Sequence, residues 1–142
     1  MAATIKINIV SAESDIFTGV GEMVFAPGSQ GELGIAPGHT PLLTSLKPGQ
    51  VRIELEGEEK SFYISGGMLE VQPTEVTVLS DTAIRADDLD EARAIAAKES
   101  AEKIISDKAT GEEYAEAISN LQQAMAQIEA ISSLRKRAGS RH

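Results

Sequence analysis

The sequence predicts an α+β chain in two modules, an N-terminal antiparallel β-sandwich over residues 1–86 followed by a C-terminal antiparallel helical hairpin over residues 87–142. Three observations lead there. All five prolines lie at or before Pro73 and ten of the twelve glycines at or before Gly67, so turn-forming residues crowd the first part. Apolar and polar residues alternate there, the period of a half-buried strand. Beyond residue 86 there are twelve alanines against seven before it, and the apolar spacing lengthens to three and four.

In the first module Ile5, Ile7 and Ile9 face one way and Lys6 and Asn8 the other, which makes the opening strand. Turn dipeptides at Pro27-Gly28, Pro37-Gly38 and Pro48-Gly49 are expected to close the connections that follow. Val51, Ile53 and Leu55 alternate with Arg52, Glu54 and Glu56, and an acidic turn from Gly57 to Glu59 leads into Phe62 and Ile64 as a hairpin. Leu69 and Val71, then Val76 and Val78, repeat the pattern around Pro73 and Thr74. About eight to ten such strands imply a sandwich or flattened barrel.

In the second module Asp88 with Glu91 reads as a capping box, opening a helix to about Lys108. Lys103 and Lys108 suit the C-terminal end of that helix dipole. Ala109, Thr110 and Gly111 form the break, and Thr110 with Glu113 is a second capping box that opens a helix to about Lys136. Its apolar stripe is expected along Tyr114, Ile118, Leu121, Met125 and Ile128, continued by Ile131 and Leu134. Helices of about 20 and 24 residues would be roughly 30 and 36 Å long at 1.5 Å per residue.

Composition narrows the function. With 142 residues the chain has room for one sizeable core. Twenty-two acids against 13 bases give a net charge of −9, which argues against nucleic acid as a partner. There are no cysteines, hence no disulfide, thiolate metal site or cysteine nucleophile. No apolar run approaches the length of a membrane span, so direct bilayer insertion is not expected, and the start MAATIKINIV lacks the basic region of a signal peptide, so the mature chain is expected to begin near Met1. Aromatics make up 4% with no Trp; four of the five, Phe17, Phe25, Phe62 and Tyr63, fall in the first module.

Catalytic constellations are missing. The sequence holds no G-x-S-x-G elbow, no Walker loop, no H-E-x-x-H pair and no complete G-x-G-x-x-G. Of two histidines, His142 is terminal and His39 sits in a Pro-Gly-His-Thr-Pro turn. Glu54, Glu56, Glu58 and Glu59 read as a solvated strand face and turn, not a metal site. Gly28, Gly31 and Gly34 precede no helix and read as turn residues in preference to a phosphate nest. No catalytic residue, metal or tightly bound cofactor is expected.

Six strings are more specific. GELGI at 31–35, PGHTPLLT at 37–44, KPG at 47–49, SGGMLEVQP at 65–73, VTVLSDTAIRA at 76–86 and LDEARA at 89–94 closely resemble the epsilon-subunit family of bacterial F-type ATP synthases. The resemblance implies a non-catalytic rotor subunit of the central stalk that couples proton-driven rotation of the c ring to ATP synthesis. It implies a sandwich bound to the gamma shaft and to the ring of c subunits, with Glu32 in the GELGI turn toward the ring and His39 in the neighbouring turn toward gamma. Leu33, Ile35, Leu42 and Leu43 are apolar residues among turn signals. They suit either a contact patch, with Leu42 at the interface, or the sandwich core.

By the same resemblance the hairpin restrains ATP hydrolysis when it extends along gamma toward the alpha and beta subunits. Arg135, Lys136 and Arg137 then meet acidic residues of the catalytic head; the same residues also complement their own helix dipole. The LDEARA string resembles an ATP-binding motif of some family members, with Asp90 and Arg93 as polar contacts. The second helix departs from that pattern, having no Lys or Arg from Glu112 through Leu134, so ATP is expected to bind weakly at most. The implied location is the cytoplasmic side of a bacterial plasma (inner) membrane, as a peripheral subunit. The alternative from another class is a free-standing sandwich-plus-hairpin adaptor that binds proteins.

Overall fold

A computed structural model describes residues 3–107 and 111–140, with side chains through residue 136. The chain divides into two compact units, Met1–Arg85 and Ala86–His142. The first holds ten strands: β1 (Ile5–Ser11), β2 (Asp15–Gly21), β3 (Met23–Gly28), β4 (Gly31–Ile35), β5 (Leu42–Leu46), β6 (Gly49–Leu55), β7 (Glu58–Ile64), β8 (Gly67–Val71), β9 (Glu75–Ser80) and β10 (Ala83–Arg85). They are joined in the order β10-β7-β6-β3-β5-β8-β9-β1-β2, with β4 added on β3.

The ladder folds on itself where β3 and β5 share only the Gly28↔Leu46 pair. Its far end then lies over its middle. A Cβ placed on Gly21 of β2 would come within 2.7 Å of Ile53 Cγ2 on β6, an approach that only glycine permits. The inward rows between the two layers run Leu42, Val71, Val76 and Ile7 on one line and Leu69, Val78, Ile9 and Phe17 on the next. Val24, Val51, Ile53, Phe62 and Ile64 face them, and Phe17 meets Phe62 with ring centroids 5.3 Å apart. The core is built almost wholly of β-branched and Leu side chains, each worth about 1.5–3 kcal/mol when fully buried. That is why few aromatics suffice.

Four local expectations are corrected. Pro27 and Gly28 do not form a turn; they are the last residues of β3, and the hairpin turns at Ser29-Gln30, with Pro27 opposite Glu32. Proline is tolerated because it loses only a donor, and its carbonyl still accepts from Lys47 N at 2.9 Å. GELGI is likewise strand β4, its glycines carried by the ladder with β3. One pair, β1 with β9, is parallel, which a long intervening chain allows. The predicted hairpin of residues 51–64 forms, but it turns at Glu56 and Gly57, both at positive φ (52° and 80°), while Glu58 and Glu59 of the expected turn already pair in β7. Glu22 Oε1 accepts from Glu56 N at 2.9 Å and supports that unusual non-glycine conformation.

The second unit begins with a 3-10 turn at Ala86–Asp88, followed by α1 (Glu91–Ser106) and α2 (Glu112–Ser140). The N-cap of α1 is Asp90, not Asp88. Leu89 N closes the 3-10 turn onto Ala86 O, so the chain enters the helix only at Asp90, whose carboxylate accepts from Arg93 N at 3.2 Å. Helix α1 ends at Ser106, earlier than expected, with Asp107 N bonded to Lys103 O. Lys108 and the Thr110 half of the second capping box lie outside the described residues. The helices are 16 and 29 residues long, about 24 and 44 Å at 1.5 Å per residue.

The two helices pack along an alanine seam. On α1 the more buried positions are Glu91, Ala94, Lys98, Ala101 and Ile105, stepping by three and four; on α2 Ala117, Ala124 and Ala130 are buried, with Leu121, Ile128 and Ile131 half-buried beside them. The expected stripe is corrected at two places, since Tyr114 and Met125 are about half exposed. Alanine lets two backbones approach closely, so the contact line turns toward the small residues and leaves large ones at its flank. Glu91, at the start of α1, receives both guanidinium nitrogens of Arg135, near the end of α2, so the helices run antiparallel.

Candidate functional site

Period-two alternation gathers four side chains from separate strands onto the outward face of the β3-β4-β6-β7 layer: Phe25, Glu32, Arg52 and Glu59. Arg52 sits opposite Phe25 in the ladder, with its guanidinium carbon 4.6 Å from the ring centroid. One arm donates to Glu32 and the other to Glu59 Oε1 at 3.4 Å. Burial alone lowers the Arg52 pKa; the hydrogen bond and charge of Glu32, with Glu59 behind it, outweigh that and hold it above the ordinary arginine value. Glu32 remains more than half exposed.

His39 lies at the rim of the same unit. Gly38, at φ +84°, donates its N–H to Pro73 O at 2.8 Å, His39 N donates to Ala36 O at 3.2 Å, and the ring Nδ1–H donates to Thr40 O at 2.7 Å. The turn therefore presents a ring held by its own backbone. Next to it, Leu42 is half-buried against the core while Leu43 is 67% exposed. Of the four apolar residues near these turns, Ile35 belongs to the core, Leu33 and Leu42 pack partly against it, and only Leu43 faces fully outward. Leu42 and Leu43 share an open hollow of about 470 Å³ with Glu70 and Gln72. Met68 and Leu79, paired across β8 and β9 and each partly exposed, border a second of about 390 Å³.

In the hairpin Asp90 Oδ1 accepts from Arg93 N as the helix cap, and the Arg93 side chain is exposed. Arg135 is engaged with Glu91, Lys136 is exposed, and the Arg137 side chain lies outside those described. Among the described residues no group of His, Asp and Glu could hold a metal ion. Sequence reasoning missed Arg52 as a site residue and Glu91 as the partner of Arg135; Leu43 was one of its four apolar candidates, and the structure singles it out as the exposed one. Arg52 had one signal, as a cation alternating with Glu54 and Glu56, and its partner Glu59 lies 7 residues away across the predicted hairpin; Glu32 and, for Arg135, Glu91 lie 20 and 44 residues away and had none.

Comparison with known proteins covers both units. The family model for the ATP synthase delta/epsilon chain β-sandwich domain matches residues 4–86, and that for the long α-helix domain of the same chain matches residues 87–132. The ATP synthase epsilon chain of Nitrosococcus oceani is 54% identical over 140 residues, 98% of this chain and 100% of its own length. The ATP synthase epsilon chain 1 of Methylococcus capsulatus is 53% identical over 137 residues, 96% and 98% of the two chains. In fold, a chain of the Euglena gracilis mitochondrial ATP synthase (OSCP/F1/c-ring) superposes with a TM-score of 0.69 at 21% identity, over 96% of this chain and 82% of that one. A chain of the Tetrahymena thermophila mitochondrial ATP synthase central stalk and c ring gives 0.62 at 14% identity, over 89% and 96%. With both domain models matched in order and relatives more than half identical along their entire length, this chain belongs to the ATP synthase delta/epsilon family, among its epsilon chains.

Proposed function

We propose that this epsilon chain, a non-catalytic subunit of ATP synthase, works in the central stalk as a coupling module with a regulatory arm. The sandwich binds the gamma shaft through the rim around His39 and Leu42 and the c ring through Glu32, transmitting proton-driven rotation. The hairpin restrains ATP hydrolysis when it extends toward the alpha and beta subunits, with Arg135, Lys136 and Arg137 meeting the catalytic head. The subunit is peripheral, on the cytoplasmic side of a bacterial plasma membrane; no described helix is long and apolar enough to cross one. The observation that carries the reading is the alanine seam of the second unit. An Ala in place of a Leu gives up about 2.4 kcal/mol of burial at roughly 0.8 per methylene. An arm so lightly held can exchange between states a few kcal/mol apart.

Truncation after Arg85 in the assembled enzyme is the test. ATP-driven proton pumping should persist while ATP hydrolysis rises. A full-length variant with Arg135, Lys136 and Arg137 neutralised should also raise hydrolysis, because the extended hairpin then lacks the charges that meet the catalytic head. Hydrolysis unchanged in both would remove the regulatory role; lost pumping in the truncated form would remove the division of labour.

ATP itself is at most a weak regulator. Asp90 is occupied as a cap, and no cation of α2 precedes Arg135 to join Arg93. A polyphosphate facing so few cations gains little. Isothermal titration should show no saturable heat at submillimolar ATP, and a submillimolar transition would overturn this reading.

A further inference from the structure

Gly34, Phe25 and Arg52 form a stack on the outward face of the sandwich. Gly34 pairs with Phe25 across β3 and β4, where a Cβ would stand 3.4 Å from Phe25 Cε1, in ordinary contact with the ring; the guanidinium lies over that ring at 4.6 Å. From that seat Arg52 reaches forward to Glu32 and back to Glu59. Strand β4 pairs only with β3, so Glu32 stands on an outer strand, with a long side chain that would otherwise sample many rotamers. Ordering a free Glu costs side-chain rotamer entropy on binding. One guanidinium between two carboxylates leaves the trio with a net charge of −1, still attractive to a cation.

We propose that Arg52 is a positioning residue for the c-ring contact: bridging Glu32 and Glu59 over Phe25, it holds the Glu32 carboxylate in one orientation for a cationic or hydrogen-bond-donating loop of the ring. This rests on the reading that Glu32 meets the c ring. Arginine is required because its planar fork bonds two carboxylates while stacking on an aromatic face; a lysine ammonium keeps the charge and loses the geometry.

The experiment titrates full-length chain back onto ATP synthase stripped of this subunit, reading restored ATP-driven proton pumping. Glu32→Gln should weaken rebinding, and Arg52→Gln should weaken it roughly threefold to fivefold, the size expected of a partly exposed charge pair. Arg52→Lys should recover little of that loss. Arg52→Gln in a Glu32→Gln background should add nothing, since Arg52 acts through Glu32. In the isolated full-length chain, NMR χ1 couplings of Glu32 should report one rotamer in the parent and averaging in Arg52→Gln, with thermal unfolding confirming that each variant folds. If Glu32→Gln rebinds like the parent, the c-ring reading fails and takes the proposal with it. If Glu32→Gln weakens rebinding but Arg52→Gln does not, or the two losses simply add, or Arg52→Lys behaves as the parent, only the proposal fails.

Discussion

Gly67→Ala is expected to lower the stability of the sandwich by about 4 kcal/mol, from about 1–3 kcal/mol of backbone strain and a similar cost of overpacking. Gly67 opens β8 at φ +142°, and a Cβ there would stand 2.0 Å from the carbonyl oxygen of Leu79. That oxygen is backbone and cannot rotate away, so relief requires β8 to part from β9 beside the Met68↔Leu79 pair, loosening the buried neighbours Leu69 and Val78. At about 4–8 °C per kcal/mol for a domain of this size, the melting midpoint should fall by roughly 15–30 °C. Gly38→Ala is the control, because Gly38 also has positive φ but a Cβ there meets nothing within 4 Å. Strain alone should cost it about 1 kcal/mol. Thermal unfolding followed by circular dichroism measures both, and a Gly67→Ala midpoint equal to that of Gly38→Ala would overturn the steric account.

The second large effect belongs to the hairpin. Ala101→Leu and Ala124→Leu each place three extra carbons at a position only 2–3% exposed, where the helix backbones meet across small side chains. Overpacking of this kind costs about 1–3 kcal/mol. For a helix pair held by so little buried surface that is enough to open it. Hydrogen exchange of hairpin amides should quicken by roughly tenfold or more, at about 1.4 kcal/mol per factor of ten. Exchange in the core strands β1, β6 and β9 should not change. Ala92→Leu, on the exposed side of α1, is the comparison and should leave exchange nearly as it was. Equal protection in all three variants would mean that the alanines do not form the contact.

Much of the sandwich was legible because its period is local. Ile5, Ile7 and Ile9 alternate with polar neighbours, and a strand can bury only one such set. The hairpin of Val51 to Ile64 was legible for the same reason, although its turn falls on Glu56-Gly57 and not over the expected Gly57 to Glu59. GELGI and Pro27-Gly28 were misread as turns because glycine and proline mark turns in isolation, whereas here their strand pairing supplies the missing order. Leu42 and Leu43 are indistinguishable as neighbours in a sequence; only the pairing of Leu42 with Val71 and of Leu43 with Glu70 decides which faces the core.

The hairpin shows a different limit. Large apolar residues dominate a periodicity pattern, so Tyr114 and Met125 were given to the seam. The contact instead selects closeness, which favours Ala117 and Ala124. The Asp90 cap differs from the expected Asp88 because a 3-10 turn intervenes, a detail of two residues that acidic spacing cannot resolve.

What the sequence determined by itself was the succession of a glycine- and proline-punctuated sandwich and an alanine-rich helix pair, since strand and helix periods follow from sterics between near neighbours. The six strings that resemble the epsilon family carried its membership as well. The tertiary structure alone decided that Arg52 would bind Glu32, that Arg135 would bind Glu91, and that alanines would form the helix contact. These depend on which distant segments chain closure brings side by side, and a pair of charges 20 or 44 residues apart leaves no local pattern from which its meeting could be read.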